Sequence, residues 1–407
     1  MRITPEGSLR VAIFAESYLP YLSGVTVSTE ALARGLAAAG HEVLLVAPRP
    51  ASGREPGSAG APGPDPRMAW LPSFQVPGPA PAGYRVPWPI PSAALREVAD
   101  FRPQVVHAQS PFVSGLMARR VALRGGSPLV FTHHTRFGDY GHYLGPVAAP
   151  GRALVDRYLH SFWSGCAAVV APGSELAAEI QARLGERPRP VVRVIPTGID
   201  VAAIGALSPV DVRVAAGWPT DSVVVESLGR LAPEKSVDLL MGAFATALLG
   251  DPTLRLLLVG GGPSMASLRE RAQRADLRGH VHLAGSRPRL EALALTKGGD
   301  LFAFASQTET QGLVLAEALA AGVPVVAIDG PGVRDSVRDG LDGVVIPAQP
   351  PADRQGRLAA AIVALAGDAK RRRLMASAAS SGAGRFDIQG RIGEMVDLYR
   401  QLLAGRN

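Results

Sequence analysis

The residues of this chain best suited to chemistry are two glutamates eight positions apart. Glu309 and Glu317 stand in the run Ser306-Gln307-Thr308-Glu309-Thr310-Gln311-Gly312-Leu313-Val314-Leu315-Ala316-Glu317-Ala318-Leu319-Ala320-Ala321-Gly322. The run reads as a loop followed by a helix that starts at Gly312 and ends at Gly322. Glu317 then lies five residues into the helix, about 7.5 Å along its axis at ~1.5 Å per residue. Carboxylates so spaced suit the two ends of an extended ligand, because each accepts hydrogen bonds from paired hydroxyls, one set on a sugar and one on a ribose. The free N–H groups and dipole at the helix start favour an anion between them. A glutamate inside Leu313–Leu319 is costly to bury unpaired, and a ligand is one candidate partner.

Two further loops carry the matching charge and backbone. Gly229-Arg230-Leu231-Ala232-Pro233-Glu234-Lys235 follows an apolar run and places two cations on one loop, a pair able to neutralise a diphosphate. A solvated basic loop is the other reading of the same residues. Gly260-Gly261-Gly262-Pro263 follows the next apolar run, and its glycines permit close approach of a ligand to the backbone. It lacks the third glycine and the later acidic residue of a dinucleotide fingerprint.

The first half offers a second set. Tyr21-Leu22-Ser23-Gly24-Val25-Thr26 opens a helix, with Gly24 able to present backbone N–H groups. His107 and His134 both stand at the carboxyl end of an apolar run, where side chains of a doubly wound sheet reach a ligand, whereas His41 reads as structural. His133, His134 and His142 raise the question of a metal. No acidic ligand cluster and no Asp-x-Asp accompany them, so no metal is expected.

These loops need two series of strands to position them. Short apolar runs occur at Arg10–Glu16, Glu42–Ala47, Val105–Ala108, Pro128–Thr132, Ala167–Ala171 and Val191–Ile195. A second series occurs at Ser222–Leu228, Leu254–Val259, Val281–Leu283, Asp300–Ala305, Pro324–Ile328 and Gly343–Ile346. Continuous hydrophobicity marks strands buried on both faces, and alternation with helices marks parallel sheets. The expectation is an α/β protein of two Rossmann-like, doubly wound parallel-sheet domains facing each other across a cleft, residues 1–200 and 201–385. The amphipathic helix Phe386–Leu403 is expected to cross back onto the first. Pro48–Pro91, with 13 prolines, reads as a long loop.

Composition narrows the classes. With 47% hydrophobic and 19% charged residues, the 407-residue chain can bury cores. No apolar run reaches the roughly 18 residues of a spanning helix, and Met1–Leu9 has no apolar core of a secretory signal. Cys166 stands alone, which excludes an internal disulfide and suits a reducing cytosol. The net charge of +7 is uneven: up to Asp200 there are 19 Arg against 14 acids, beyond it 23 Arg and Lys against 21. A basic first half suits phosphates or an anionic membrane surface, although a compositional bias toward arginine gives the same count. No basic stripe with interleaved aromatics marks a nucleic-acid reader.

Taken together, these residues resemble the retaining glycosyltransferases of family 4, which have the GT-B fold. The likeness runs through Gly24, Ala39-Gly40-His41-Glu42-Val43, Val106-His107-Ala108, Ile195-Pro196-Thr197-Gly198-Ile199-Asp200, Gly229–Lys235, Val259–Pro263, the Glu309/Glu317 pair and Gly322-Val323-Pro324-Val325-Val326. Thr310-Gln311 before Gly312, His134-Thr135, Asp139-Tyr140 and His142-Tyr143 are similar to bacterial diacylglycerol glucosyltransferases, which are peripheral membrane proteins. Ser23 departs from the family, where a second glycine is common.

The resemblance implies roles. Arg230 and Lys235 hold the leaving diphosphate, and Glu317 the ribose hydroxyls. Glu309, with the backbone of Gly312, Leu313 and Val314, holds the donor sugar. Gly24 and Gly261 also contact the donor. His134 touches the sugar or offers its backbone carbonyl near the anomeric carbon. His107, Asp139 and Tyr140 contact the acceptor. The expected reaction moves a hexose, glucose from a UDP-linked donor, to a lipid such as diacylglycerol, with no cofactor besides the donor. Gly115–Arg124 is the expected docking helix, basic on one face and apolar on the other; a surface helix packed on its own domain has the same pattern. The expected location is the cytoplasm, at the inner face of the membrane. Transfer of mannose or sulfoquinovose to another lipid, or transfer to a soluble acceptor, remains open. A nicotinamide oxidoreductase and a non-catalytic sugar-nucleotide binder are the alternatives of other classes.

Overall fold

A computed structural model describes residues 7–21, 23–51, 61–75, 84–136, 148–185 and 190–405. The chain divides into two compact units, Met1–Gly198 with Ile388–Asn407, and Ile199–Asp387.

The first unit is built on strands β1 (Arg10–Phe14), β2 (Glu42–Pro48), β3 (Arg67–Leu71), β4 (Ser73–Gln75), β5 (Arg85–Pro87), β6 (Val105–Ala108), β7 (Leu129–Thr132), β8 (Ala168–Ala171) and β9 (Val191–Val194). Its helices are α1 (Gly24–Ala38), α2 (Ala93–Phe101), α3 (Val113–Gly125), α4 (Ala148–Ser164) and α5 (Ser174–Leu184). Seven strands form one parallel sheet in the order β3-β2-β1-β6-β7-β8-β9. Val11–Phe14, Val105–Ala108 and Ala168–Ala171 are wholly buried, as strands covered on both faces must be. The Pro-rich stretch is not all loop, which corrects the sequence reading. It contributes edge strand β3 and the antiparallel pair β4–β5. Arg67 is exposed and Met68 and Trp70 only half-buried, so this strand lacks the continuous apolar run of the central ones.

The second unit contains α6 (Val201–Ala206), α7 (Val212–Ala216), β10 (Val223–Leu228), α8 (Val237–Leu248), β11 (Leu254–Val259), α9 (Met265–Ala272), β12 (Val281–Gly285), α10 (Arg289–Lys297), β13 (Leu301–Phe304), α11 (Leu313–Ala320), β14 (Val325–Ile328), α12 (Val333–Ser336), β15 (Gly343–Ile346), α13 (Arg354–Gly367) and α14 (Ala369–Ser381). Its six strands are parallel, in the order β12-β11-β10-β13-β14-β15.

The last helix, α15 (Ile388–Ala404), belongs to the first unit and packs on α1. Ile388, Ile392, Met395, Val396 and Tyr399 recur at helical spacing and are buried, in one cluster with Ile13, Leu36 and Leu45. Among the described residues no helix is long and apolar enough to cross a membrane.

Candidate active site

In each of the two parallel sheets the strand order reverses once. In the second unit the chain leaves β10 for β11 and β12, then returns to β13 on the other side of β10. Loops at such a switch point separate and leave a crevice beyond the strand ends. The loop after β10 carries Arg230 and Lys235, and the loop after β13 carries Glu309. They meet: Lys235 Nζ is 2.5 Å from Glu309 Oε1. Thr308 Oγ1 donates to the carbonyl of Glu234 at 3.1 Å, a second tie between the same loops. Arg230 is held more loosely, 3.9 Å from Glu234, with half its side chain in solvent.

Gly312 has φ +70° and forms the N-cap of α11, a left-handed conformation that disfavours any residue with a Cβ. No side chain caps that end, so the first N–H groups of α11 remain directed out of the helix. Glu317, in the second turn, is 5% exposed. Arg289, the first residue of α10, places Nη2 2.5 Å from Glu317 Oε1. Burial raises the Glu317 pKa, and the Arg289 guanidinium opposes that rise.

The glycines after β11 serve packing between loops. A Cβ on Gly260 would lie 1.8 Å from the Gly229 carbonyl oxygen, and one on Gly262 2.3 Å from that of Leu231. Leu231 N–H donates to the Gly261 carbonyl at 2.9 Å, locking the cationic loop against the glycine loop.

In the first unit the switch lies between β1 and β6. Gly24 opens α1 beyond β1, and a Cβ there would meet nothing within 4 Å. Beyond β6 and β7, His134 Nε2 lies 2.7 Å from Gln109 Oε1. Burial depresses the His134 pKa to about 4, so the ring is neutral at physiological pH.

Comparison with known proteins gives the family. Residues 22–203 match Glycosyltransferase Family 4, and residues 211–381 match Glycosyl transferases group 1. An alpha-monoglucosyldiacylglycerol synthase from Acholeplasma laidlawii is 29% identical over 349 residues, 83% of this chain and 84% of that protein. A GDP-mannose-dependent alpha-mannosyltransferase from Mycobacterium tuberculosis is 30% identical over 341 residues, again 83% and 84%. The chain is a family 4 glycosyltransferase. The crystal structure of Anabaena HepE with UDP and glucose superposes with a TM-score of 0.71 at 17% identity, covering 97% of this chain and all of that one. The transferase thus has the two parallel-sheet Rossmann-like domains of the GT-B class.

Within the transferase, Lys235, Glu309, Gly312, Leu313, Val314 and Glu317 belong to two neighbouring loops and the helix that one of them opens. Two expectations need correction. The buried Glu317 does not wait on a ligand for a partner, because Arg289 supplies one. His107 is not available to an acceptor. It is fully buried, with Nδ1 2.6 Å from the Tyr399 hydroxyl and Nε2 2.7 Å from Thr132 Oγ1, and burial pushes its pKa down to about 3. Asp139, Tyr140 and His142 lie outside the described residues. His133 accepts from Trp163 Nε1 at 3.2 Å and is buried, a structural placement.

Sequence reasoning missed three residues. Arg289 follows Pro288 with no glycine or motif to mark it. Gln109 is 3% exposed and meets His134 across β6 and β7, a pairing visible only once the strands align. Glu16, beyond β1, accepts from the Ser114 N–H at 2.8 Å and so caps α3, which has no local side-chain cap. The family departure at Ser23 has a local explanation. Its hydroxyl accepts from Thr26 N–H at 3.2 Å while its own N–H donates to Thr26 Oγ1 at 2.8 Å, a closed capping box on α1.

Proposed function

We propose that this glycosyltransferase retains configuration while moving glucose from UDP-glucose to a lipid acceptor such as diacylglycerol. The observation that carries the donor half is the Lys235–Glu309 contact at the switch point, one loop away from the uncapped start of α11. In this reading Arg230 and Lys235 take the diphosphate, and Glu309 with the N–H groups of Leu313 and Val314 takes the sugar. Gly24 and Gly261 lie against the donor, and Glu317 takes the ribose. The sugar–phosphate bond breaks through an oxocarbenium-like state. Fixed cations and helix N–H groups stabilise the charge growing on the departing diphosphate, with no metal required. His134 is neutral and serves as a hydrogen-bonding group or through its carbonyl, not as a cation. The nucleotide assignment draws support from HepE, whose crystal structure holds UDP and glucose.

The lipid half rests on the relatives named as monoglucosyldiacylglycerol synthases and on α3. Ser114, Met117, Ala118 and Ala122 bury one face of α3 in its own unit. Leu116, Arg120, Leu123 and Arg124 are exposed at i, i+4, i+7 and i+8, a mixed apolar and basic stripe suited to an anionic membrane surface at the cytoplasmic side. The test follows nucleotide diphosphate release from UDP- and GDP-sugars, with and without diacylglycerol vesicles. Release from UDP-glucose that rises with the vesicles is expected. Release from no donor removes the catalytic reading, and release indifferent to vesicles removes the lipid one.

A further inference from the structure

We propose that Arg289 is the residue that keeps Glu317 ionised, and so able to accept both ribose hydroxyls of the donor nucleotide. This inference rests on the ribose role of Glu317 proposed above. Leu315, Ala316, Ala318 and Leu319, the neighbours of Glu317 on α11, are each at most 1% exposed. A carboxyl group in such surroundings tends to take up a proton. A protonated carboxyl spends one oxygen as a donor and can no longer accept from two vicinal hydroxyls through both oxygens.

Arg289 removes that tendency. Its Nη2 lies 2.5 Å from Oε1, and guanidinium stays charged across the accessible pH range. The contact engages Oε1, and a carboxylate has about four lone-pair sites over its two oxygens, so acceptor capacity beyond the Arg289 contact remains for hydroxyls. The elements packed on α11 are α6, α10, α12, α14, β14 and the turn at 383–386. Their other charged groups are Glu291 and Lys297 of α10, Arg334 and Asp335 of α12, Lys370, Arg371, Arg372 and Arg373 of α14, and Arg385 of the turn; Arg334 pairs with Asp329, Arg385 with Asp342, and Lys297 donates to the carbonyl of Gly205. Among the described residues Arg289 alone acts electrostatically on Glu317. Its place is fixed by the backbone, since it is the first residue of α10 directly after Pro288 and α10 contacts α11.

The experiment measures Kd for UDP, GDP and 2′-deoxy-UDP by calorimetry at pH 6.5 and 9.0, on wild type, Arg289→Gln, Arg289→Lys and Glu317→Gln. Thermal melting verifies folding of each variant. Taking ratios to wild type cancels the titration of the nucleotide itself. For Arg289→Gln we expect UDP to bind about tenfold more weakly at pH 6.5 and within about threefold of wild type at pH 9.0, where the freed carboxyl ionises. 2′-Deoxy-UDP should lose less. An equal loss at both pH values would make Arg289 a direct phosphate ligand and overturn the proposal, as would no loss. Arg289→Lys keeps a charge and should stay within about threefold at both pH values. A loss as large as that of Glu317→Gln would overturn the proposal even if Arg289→Gln did not fold. Wild-type affinity for UDP and GDP in Glu317→Gln would instead end the ribose reading itself, whatever Arg289→Gln shows.

Discussion

Lys235 and Glu309 come from loops 74 residues apart in sequence and meet with Nζ 2.5 Å from Oε1. The contact sets a cation and a carboxylate side by side at the switch point of the second unit. Replacement of either by alanine should lower the rate of nucleotide diphosphate release about 10²- to 10³-fold. Circular dichroism and melting should remain close to wild type, since both side chains are partly exposed. Arg230→Ala should act in the same direction. Unchanged turnover in all three would misplace the site.

Tyr399 is the hydrogen-bond partner that α15 brings to His107, 292 residues away in sequence. Tyr399→Phe leaves a buried ring nitrogen without that partner and should cost about 1–3 kcal/mol. The denaturant midpoint should fall while turnover by the remaining folded protein is unchanged. A loss of acceptor affinity without a loss of stability would restore His107 to the acceptor site.

Glu226 gives the second unit a pH-dependent stability. It lies mid-strand in β10, fully buried, with Thr296 Oγ1 donating to Oε1 at 2.8 Å, and burial raises its pKa to about 8. The folded state therefore holds a proton that the unfolded chain releases near its ordinary carboxyl pKa. Its contribution is full in acid and is lost as pH rises toward 8. Glu226→Gln should flatten this dependence and raise Tm by about 3 °C or more at pH 8, with little change at pH 5. Parallel melting curves for variant and wild type across that range would refute the assignment.

The outward stripe of α3 predicts a separable defect. Leu116→Asp with Leu123→Asp, or Arg120→Glu with Arg124→Glu, should reduce sedimentation with anionic vesicles about tenfold. Turnover of the donor in the absence of lipid should be retained. Full vesicle binding in both double variants would leave α3 as an ordinary surface helix.

Much of this protein was legible in one dimension because buried parallel strands need continuous apolar runs. Val105–Ala108, Leu254–Val259 and Gly343–Ile346 occur as strands with the bounds read from sequence, and the other nine runs differ only at their ends. The positions of the loops that follow them were legible for the same reason, since each begins where an apolar run ends. Edge strand β3 was not legible, because an edge strand needs no continuous run and this one sits among prolines.

The sequence by itself determined two doubly wound sheets, the cationic loop at Arg230 and Lys235, and the carboxylates at Glu309 and Glu317. Only the tertiary structure decided which polar groups were already satisfied. His107 and His134 occupy the same kind of strand-end position, yet Tyr399 takes one into the core and Gln109 holds the other partly open. Glu317 likewise called for a partner, and nothing in the spacing named Arg289. Burial cost is a local property that residue type reveals, whereas the group that offsets it comes from wherever the chain folds back.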